Sequence, residues 1–418
     1  MGVYGIYALT NAWFVARGVG TGAMAAVNLG APVLLILGAV STTVGAGGAS
    51  LVSRHLGSGD PAGAARAAGN AFTVFWTTAI AVGVAGLLAL EPLLTALGAQ
   101  GATRSLTRDY LVVLLCGTLV STGFSSLIRA EGRLRFATMI WLVPVLVQIT
   151  LDPLLILGLG MGVRGAALGT VGGQSVSAAM SLWFFFVQRR RPYRITVRDL
   201  RPHGPTVRAL IGIGAPSFLA GFGATLLAVL VNNVLAATAA GATALAAYAV
   251  CARIQTFAGM PHLGISQGLQ PVVGYNAGRG LDGRVHRART LALRASLGYG
   301  ALAALTLTLL AGPLVAVFTD DPAVAPMAEQ ALRIIAVGIA AAGVAPLASA
   351  YFQSLGYATP SYLLSAGTLV LIKTPLVLVA GGTTITGIWV GIAAGEVTSA
   401  LAALLVLRLT RRGRLRAR

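Results

Sequence analysis

Eleven acidic residues stand among 418, few enough to sort one by one. Asp60, Asp199, Asp282, Asp320, Asp321 and Glu329 lie in polar stretches or near the ends of apolar runs. Glu91 and Asp109 flank another polar break, and Glu131 closes an apolar run beside Arg129, a pair that reads as a structural clasp. Two acids remain deep in apolar sequence: Asp152, in ITLDPLLILGLG (149–160), and Glu396. A charge at the centre of a hydrocarbon layer is costly, which makes each a functional candidate. Pro153 withdraws a backbone donor beside Asp152. Freed carbonyls and a carboxylate together suit a proton or a cation; the competing reading is a hydrogen-bonded aspartate that packs two helices. Lys373, the sole lysine, precedes Pro375 by two residues. It is either a cavity charge able to pair with an acid or repel a cation, or a side chain that snorkels to the surface. Glu396, Asp152 and Lys373 are therefore the candidates for coupling and for cation capture. Asn11, Asn232 and Gln174 are amides in apolar runs, suited to line a cavity or to hydrogen-bond between helices. Arg253 and His262 stay open, with helix packing the commoner role of a lone histidine. Cys116 and Cys251 are isolated and make no metal or redox spacing, so neither a metal nor a cofactor is expected.

The elements that must position these groups are helices in a membrane. Hydrophobic residues make up 56% of the chain and charged residues 10%, against about 25% charged in soluble domains; the mean hydropathy is +0.83. Apolar runs of about 20 residues, the length that crosses about 30 Å of hydrocarbon as a helix, recur throughout. They lack the alternation of a transmembrane barrel. The expected spans are 3–16, 24–52, 70–94, 108–128, 136–159, 164–187, 208–235, 242–268, 290–317, 326–352, 361–380 and 384–407, the first of them short. The fold class is thus an all-α polytopic membrane protein of twelve transmembrane helices.

The formal charge is +19, and its placement is informative. Arginines cluster after spans two, four, six and eight and at the C-terminus, which puts 22 of the 30 basic residues on one face. The opposite loops carry Arg17, Arg104, Arg108, Arg164 and Arg333, with Asp320 and Asp321. By the positive-inside rule both termini are expected to be cytoplasmic. Arginines so placed face lipid headgroups and water rather than nucleic acid, so the bilayer is the expected partner.

The two halves repeat. GAMAAV (22–27) resembles TALAAY (243–248) at a shift of 221, which also carries Asn11 onto Asn232, Gly57 onto Gly278 and Arg66 onto Arg287. At a shift of 222, Pro153 falls on Pro375, Gly165 on Gly387, Gly169 on Gly391, Gln174 on Glu396 and Ser177 on Ser399. The expected organisation is an N-terminal six-helix bundle (1–187), a basic cytoplasmic linker (188–207), a C-terminal six-helix bundle (208–407) and a basic tail (408–418). Parallel repeats of this kind are a transporter arrangement. The repeat aligns residue 1 with residue 222, well inside span seven. The first span is accordingly expected to be truncated by about a dozen residues, through a start placed too far downstream or because the chain is a fragment.

Five stretches, VNLGAPVLLILGAVSTTVGAGGASLVSRHLGSGD (27–60), SSLIRAEG (125–132), ITLDPLLILGLGMGVRGAALGT (149–170), GIGAPSFL (212–219) and GISQGLQPVVGYNAGR (264–279), together resemble the multidrug and toxic compound extrusion (MATE) family, in its DinF-like bacterial branch. The resemblance implies a twelve-helix antiporter that exports amphipathic, often cationic molecules by alternating access. A proton gradient is expected to drive it rather than sodium. Many members use a carboxylate in the first span, where LTNAWFVARG (9–18) offers Asn11; sodium-coupled members carry acids in spans seven and ten, and LAGFGATLL (219–227) has none. Asp152 matches an aspartate of the drug-exporting branch. The expected protein is a monomer and no enzyme, with small amphipathic substrates. The alternatives are a flippase of lipid-linked precursors or polysaccharide in the same superfamily, whose cavities usually need several cationic residues, and an inactive truncated paralogue.

Overall fold

The computed structural model describes residues 21–416 apart from 121–123 and 382–383. The expected first span, and Asn11 within it, lie outside the described residues. The helices run in order α1 (Thr21–Gly57), α2 (Pro61–Leu88), α3 (Leu90–Ala96), α4 (Gly101–Cys116), α5 (Ser125–Ala130), α6 (Leu134–Pro153), α7 (Gly162–Leu182), α8 (Gly204–Ala236), α9 (Gly241–Gly278), α10 (Asp282–Leu309), α11 (Ala311–Ala316), α12 (Ala325–Ala342), α13 (Val344–Ser354), α14 (Ala358–Tyr362), α15 (Thr374–Gly381) and α16 (Ile385–Arg416). Ten stretches of the described chain are long and apolar enough to cross a membrane. α9, at 38 residues, is long enough as well but carries Arg253, Gln255, His262, Gln267 and Gln270. The protein is an all-α, multi-pass membrane protein.

Several helices are interrupted where hydropathy alone shows one run. A short 3-10 turn, Gly117–Val120, follows α4. π turns extend α6 at Leu154–Gly158 and α7 at Trp183–Val187, and two more, Leu363–Gly367 and Leu369–Lys373, join α14 to α15. Pro153 stands immediately before the first and Pro375 just after the last. A missing donor breaks the regular i to i−4 ladder there.

The chain forms two compact units, Met1–Gly214 and Ala215–Arg418. The division falls inside α8 rather than in the basic link, because the start of α8 packs on the first unit: a Cβ on Gly47 or Gly214 would collide with the backbone of Leu210 or Thr43. In the first unit, α1 packs on α2, α4 and α5, and α6 packs on α7. The core there is an aromatic knot in which Phe72 stacks on Phe124 at 3.9 Å and meets Phe185 edge-on at 4.9 Å. The second unit packs α10 and α16 on α12, and α12 and α13 on α9. Trp389, fully buried, stacks on Tyr248.

The basic link is ordered against the first unit. Asn70, fully buried on α2, donates to the carbonyls of Asp199 and Arg201 at 3.0 and 3.3 Å and accepts from the His203 amide at 2.7 Å. Thr73 donates to the Leu200 carbonyl at 2.6 Å. Glu131 does not clasp Arg129 as its position suggested. Arg129 donates to Ser126 at 2.9 Å, while Glu131 forms a buried ion pair with Arg191 from the link. Helix geometry explains the exchange: two residues apart on one turn point to different faces, whereas the returning link brings Arg191 onto the carboxylate. Burial, with the Glu131 charge, holds the adjacent Tyr193 hydroxyl well above its usual pKa. α2 opens on an N-cap: Asp60 accepts from the Gly63 amide at 2.7 Å, and Pro61 follows at the first helical position. That bond, reinforced by His55, holds the Asp60 carboxyl below its ordinary pKa.

Candidate functional site

In the first unit the seam between α6 and α7 carries Asp152. Its exposure is 1%. The residue ends the regular part of α6, next to Pro153 and the π turn. Glycines on α7 let the helices approach closely: a Cβ on Gly169 would strike the Asp152 carboxylate, and one on Gly165 would lie 2.9 Å from the Leu155 carbonyl. One turn before Asp152, buried Gln148 donates to Thr170 at 2.8 Å. Buried Tyr110, on α4, lies within coulombic reach of Asp152. The carboxylate is thus held among a small-residue face, an amide and a phenol, with α6 departing from α-helical geometry just beyond it.

In the second unit the glycine spacing repeats on α16. A Cβ on Gly391 would lie 2.8 Å from the Leu376 carbonyl, and one on Gly395 would touch the Lys373 side chain at 3.4 Å. The charged groups differ. Lys373, at the end of the second π turn, donates to Glu396 on α16 at 2.6 Å, and both side chains are half-buried. The two residues, 23 apart in sequence, form one ion pair. Beside it is a cavity of about 180 Å³, lined by Glu396, Gln255 and His262 and walled by Ile335, Ile339 and Ile392. His262 is 5% exposed and shares a hydrogen bond of 2.9 Å with Ser296 through Nδ1. Tyr299 meets its ring edge-on at 5.0 Å. Gly343 makes the pairing possible, because a Cβ there would occupy the space of His262 Nδ1 and Ser296 Oγ.

The remaining sequence candidates do not join these clusters. Asn232 is exposed on α8, Gln174 is half-buried on α7, and Arg253 is exposed on α9. Gln255 and Ser296 were not singled out by sequence, being uncharged polar residues in long apolar helices; the one available signal was the residue spacing that puts Gln255 and His262 two turns apart on α9. Among the described residues, no group of three or more His, Cys, Asp or Glu is arranged to hold a metal ion.

Comparison with known proteins places this architecture. The MatE family model matches residues 3–154 and 216–379, most of each unit. The chain belongs to the MatE family. A curated relative, the FAD transporter of Shewanella oneidensis, is 26% identical over 380 residues, covering 88% of this chain and 82% of that protein. The multidrug export protein MepA of Staphylococcus aureus is 26% identical over 415 residues, covering 97% and 90%. The crystal structure of a MATE transporter in complex with MaL6 superposes with a TM-score of 0.93 at 25% identity, covering all of this chain and 94% of that one. This MatE member is accordingly a membrane transporter and not an enzyme.

Proposed function

We propose that this MatE transporter exports amphipathic or cationic small molecules across the bacterial plasma membrane in exchange for protons, by alternating access, as a monomer with both termini in the cytoplasm. The observation that carries the reading is Asp152: a carboxylate with 1% exposure, seated on Gly169 at the point where α6 leaves regular helical geometry. A proton and a cationic cargo both neutralise it, and one excludes the other. That competition is the minimum needed for antiport, provided each ligand favours a different conformer. The similarity to the multidrug export protein MepA supports the cargo class. The similarity to an FAD transporter raises an anionic cargo as the rival. The inventory of basic groups deep within the spans weighs against it: the single lysine is paired with Glu396 at 2.6 Å, which leaves Arg253 alone among the basic candidates where an anionic cargo would call for several cationic residues. The distribution of arginines supports the orientation.

The test is efflux of ethidium from proteoliposomes under an imposed pH gradient, for the wild type and Asp152→Asn. Proton-driven efflux that is lost in the variant is expected. Efflux unchanged by the substitution would return Asp152 to a packing role and refute the reading.

A further inference from the structure

We infer that the second unit contains its own binding site for a compact protonated amine, at the cavity of Glu396, His262 and Gln255, and that Lys373 is a resident ammonium which such a ligand displaces. The inference stands apart from Asp152, which belongs to the other unit.

Three observations combine. Glu396 already recognises an ammonium, since Lys373 Nζ donates to it at 2.6 Å. The cavity beside that pair offers a second polar wall in Gln255 and His262 and an apolar one in Ile335, Ile339 and Ile392. Finally, His262 is nine-tenths buried, with Nδ1 committed to Ser296; the ring also approaches the Ile339 backbone, but its Nε2 has no hydrogen-bond partner of good geometry among the described residues. A buried polar atom without a partner is a cost to the fold unless something visits it.

The size and chemistry of the cavity select the ligand. About 180 Å³ is below the range of about 300–1,000 Å³ that drug-sized molecules occupy, so the occupant is a short alkyl amine or the amine head of something longer. A hard metal cation requires about six oxygen ligands, whereas the polar lining here comprises one carboxylate, one amide and one imidazole. An ammonium needs only a carboxylate, a neutral acceptor such as the free imidazole nitrogen, and room for its methylenes against isoleucine. The charged and titratable groups lining the cavity are Glu396 from α16 and His262 from α9; behind them, Lys373 from the π turn before α15 pairs with Glu396 and Tyr299 from α10 packs on the His262 ring, and α12 contributes apolar side chains. Lys373 is tethered on a flexible stem and its side chain is 22% exposed, so that it can swing away and leave its carboxylate to the incoming amine. A pair that is closed about nine-tenths of the time masks the carboxylate about tenfold.

Because Lys373 is the only lysine in the chain, the site reports on itself. The full-length protein, labelled with ¹⁵N-lysine in lipid nanodiscs, gives one side-chain ammonium signal. It would be titrated at fixed pH with n-butylammonium chloride, and with tetramethylammonium chloride and sodium chloride at matched ionic strength. The expected result is a saturable shift with n-butylammonium alone, absent in Glu396→Gln. Ile339→Phe, which fills the cavity, is expected to keep the wild-type signal and lose the response, which separates blocked binding from misfolding. Calorimetry on Lys373→Met is expected to give an apparent Kd for n-butylammonium about tenfold lower than wild type. Asp152→Asn is expected to retain the response, so that loss of antiport and loss of this site are distinguishable. An equal shift with tetramethylammonium or sodium, no saturation, or a response abolished by Asp152→Asn would each overturn the inference.

Discussion

Replacing Glu131 tests whether the basic link is a structural part of the first unit. Glu131 and Arg191 have side-chain exposures of 0% and 1%. Arg191 donates through Nε to Glu131 at 3.1 Å, through Nη2 to the same carboxylate, and through Nη1 to the Phe185 carbonyl at 2.7 Å. Its guanidinium also lies within 4.5–4.8 Å of the ring centres of Phe184, Phe185 and Tyr193. Glu131→Leu leaves that guanidinium enclosed without its counter-charge. Breaking a buried pair from one side costs about 3–5 kcal/mol. For a unit of this size, each kcal/mol corresponds to about 2–4 °C in Tm, so a fall of about 6–20 °C is expected. Removing both charges in Glu131→Leu/Arg191→Met trades the pair for apolar packing and is expected to cost less than either single change, since desolvation of the pair is relieved together with the attraction. Thermal unfolding in detergent, followed by tryptophan fluorescence for the wild type, the two single variants and the double, measures the cycle. A double variant as unstable as the sum of the singles would refute the reasoning, because it would show no coupling between the charges.

Two further predictions concern the first unit. Gly169→Ala places a Cβ onto the Asp152 carboxylate. It is expected to cost about 1–3 kcal/mol as overpacking and to lower proton-driven ethidium efflux toward the Asp152→Asn level. Gly172→Ala, whose Cβ would meet only the end of the Leu151 side chain at 2.7 Å, is expected to retain efflux, and equal loss in both would refute a specific role for Gly169. Asp60 has a pKa lowered in the fold chiefly by the Gly63 amide, so its stabilising contribution is full above the unfolded value of 3.8 and disappears as pH falls through the lowered folded value. Asp60→Asn keeps a capping oxygen but removes the charge; its Tm deficit at neutral pH is expected to shrink once pH falls below the unfolded value and to vanish below the lowered folded one, and a deficit independent of pH would count against the N-cap charge.

Much of this was legible without coordinates, and the reason is the bilayer. A membrane imposes a minimum apolar length on each helix and a charge bias on each loop, and both are properties of consecutive residues. Composition and run length therefore determined that the chain is an all-α, multi-pass membrane protein. The repeated glycines, Gly165, Gly169 and Gly391 among them, marked the internal repeat, and only the structure showed that neighbouring helices touch there. Asp152 and Glu396 stood out because few other acids lie deep in apolar sequence. Helix interruptions were less visible: hydropathy reads α12 and α13 as one span, while the structure breaks it at Gly343.

What only the tertiary structure decided is which side chains meet. Lys373 and Glu396 are 23 residues apart, His262 and Ser296 are 34 apart, and Glu131 and Arg191 are 60 apart. Each pairing depends on the rotation of one helix about its axis relative to another, and a hydropathy profile carries no information on that angle. The same holds for Gly343, which in sequence is one small residue among alanines and in the fold is the space that lets His262 reach Ser296. Proximity in sequence suggested Arg129 as the partner of Glu131; packing selected Arg191, because a helix turns successive side chains outward in different directions while a returning chain can deliver a charge to any face.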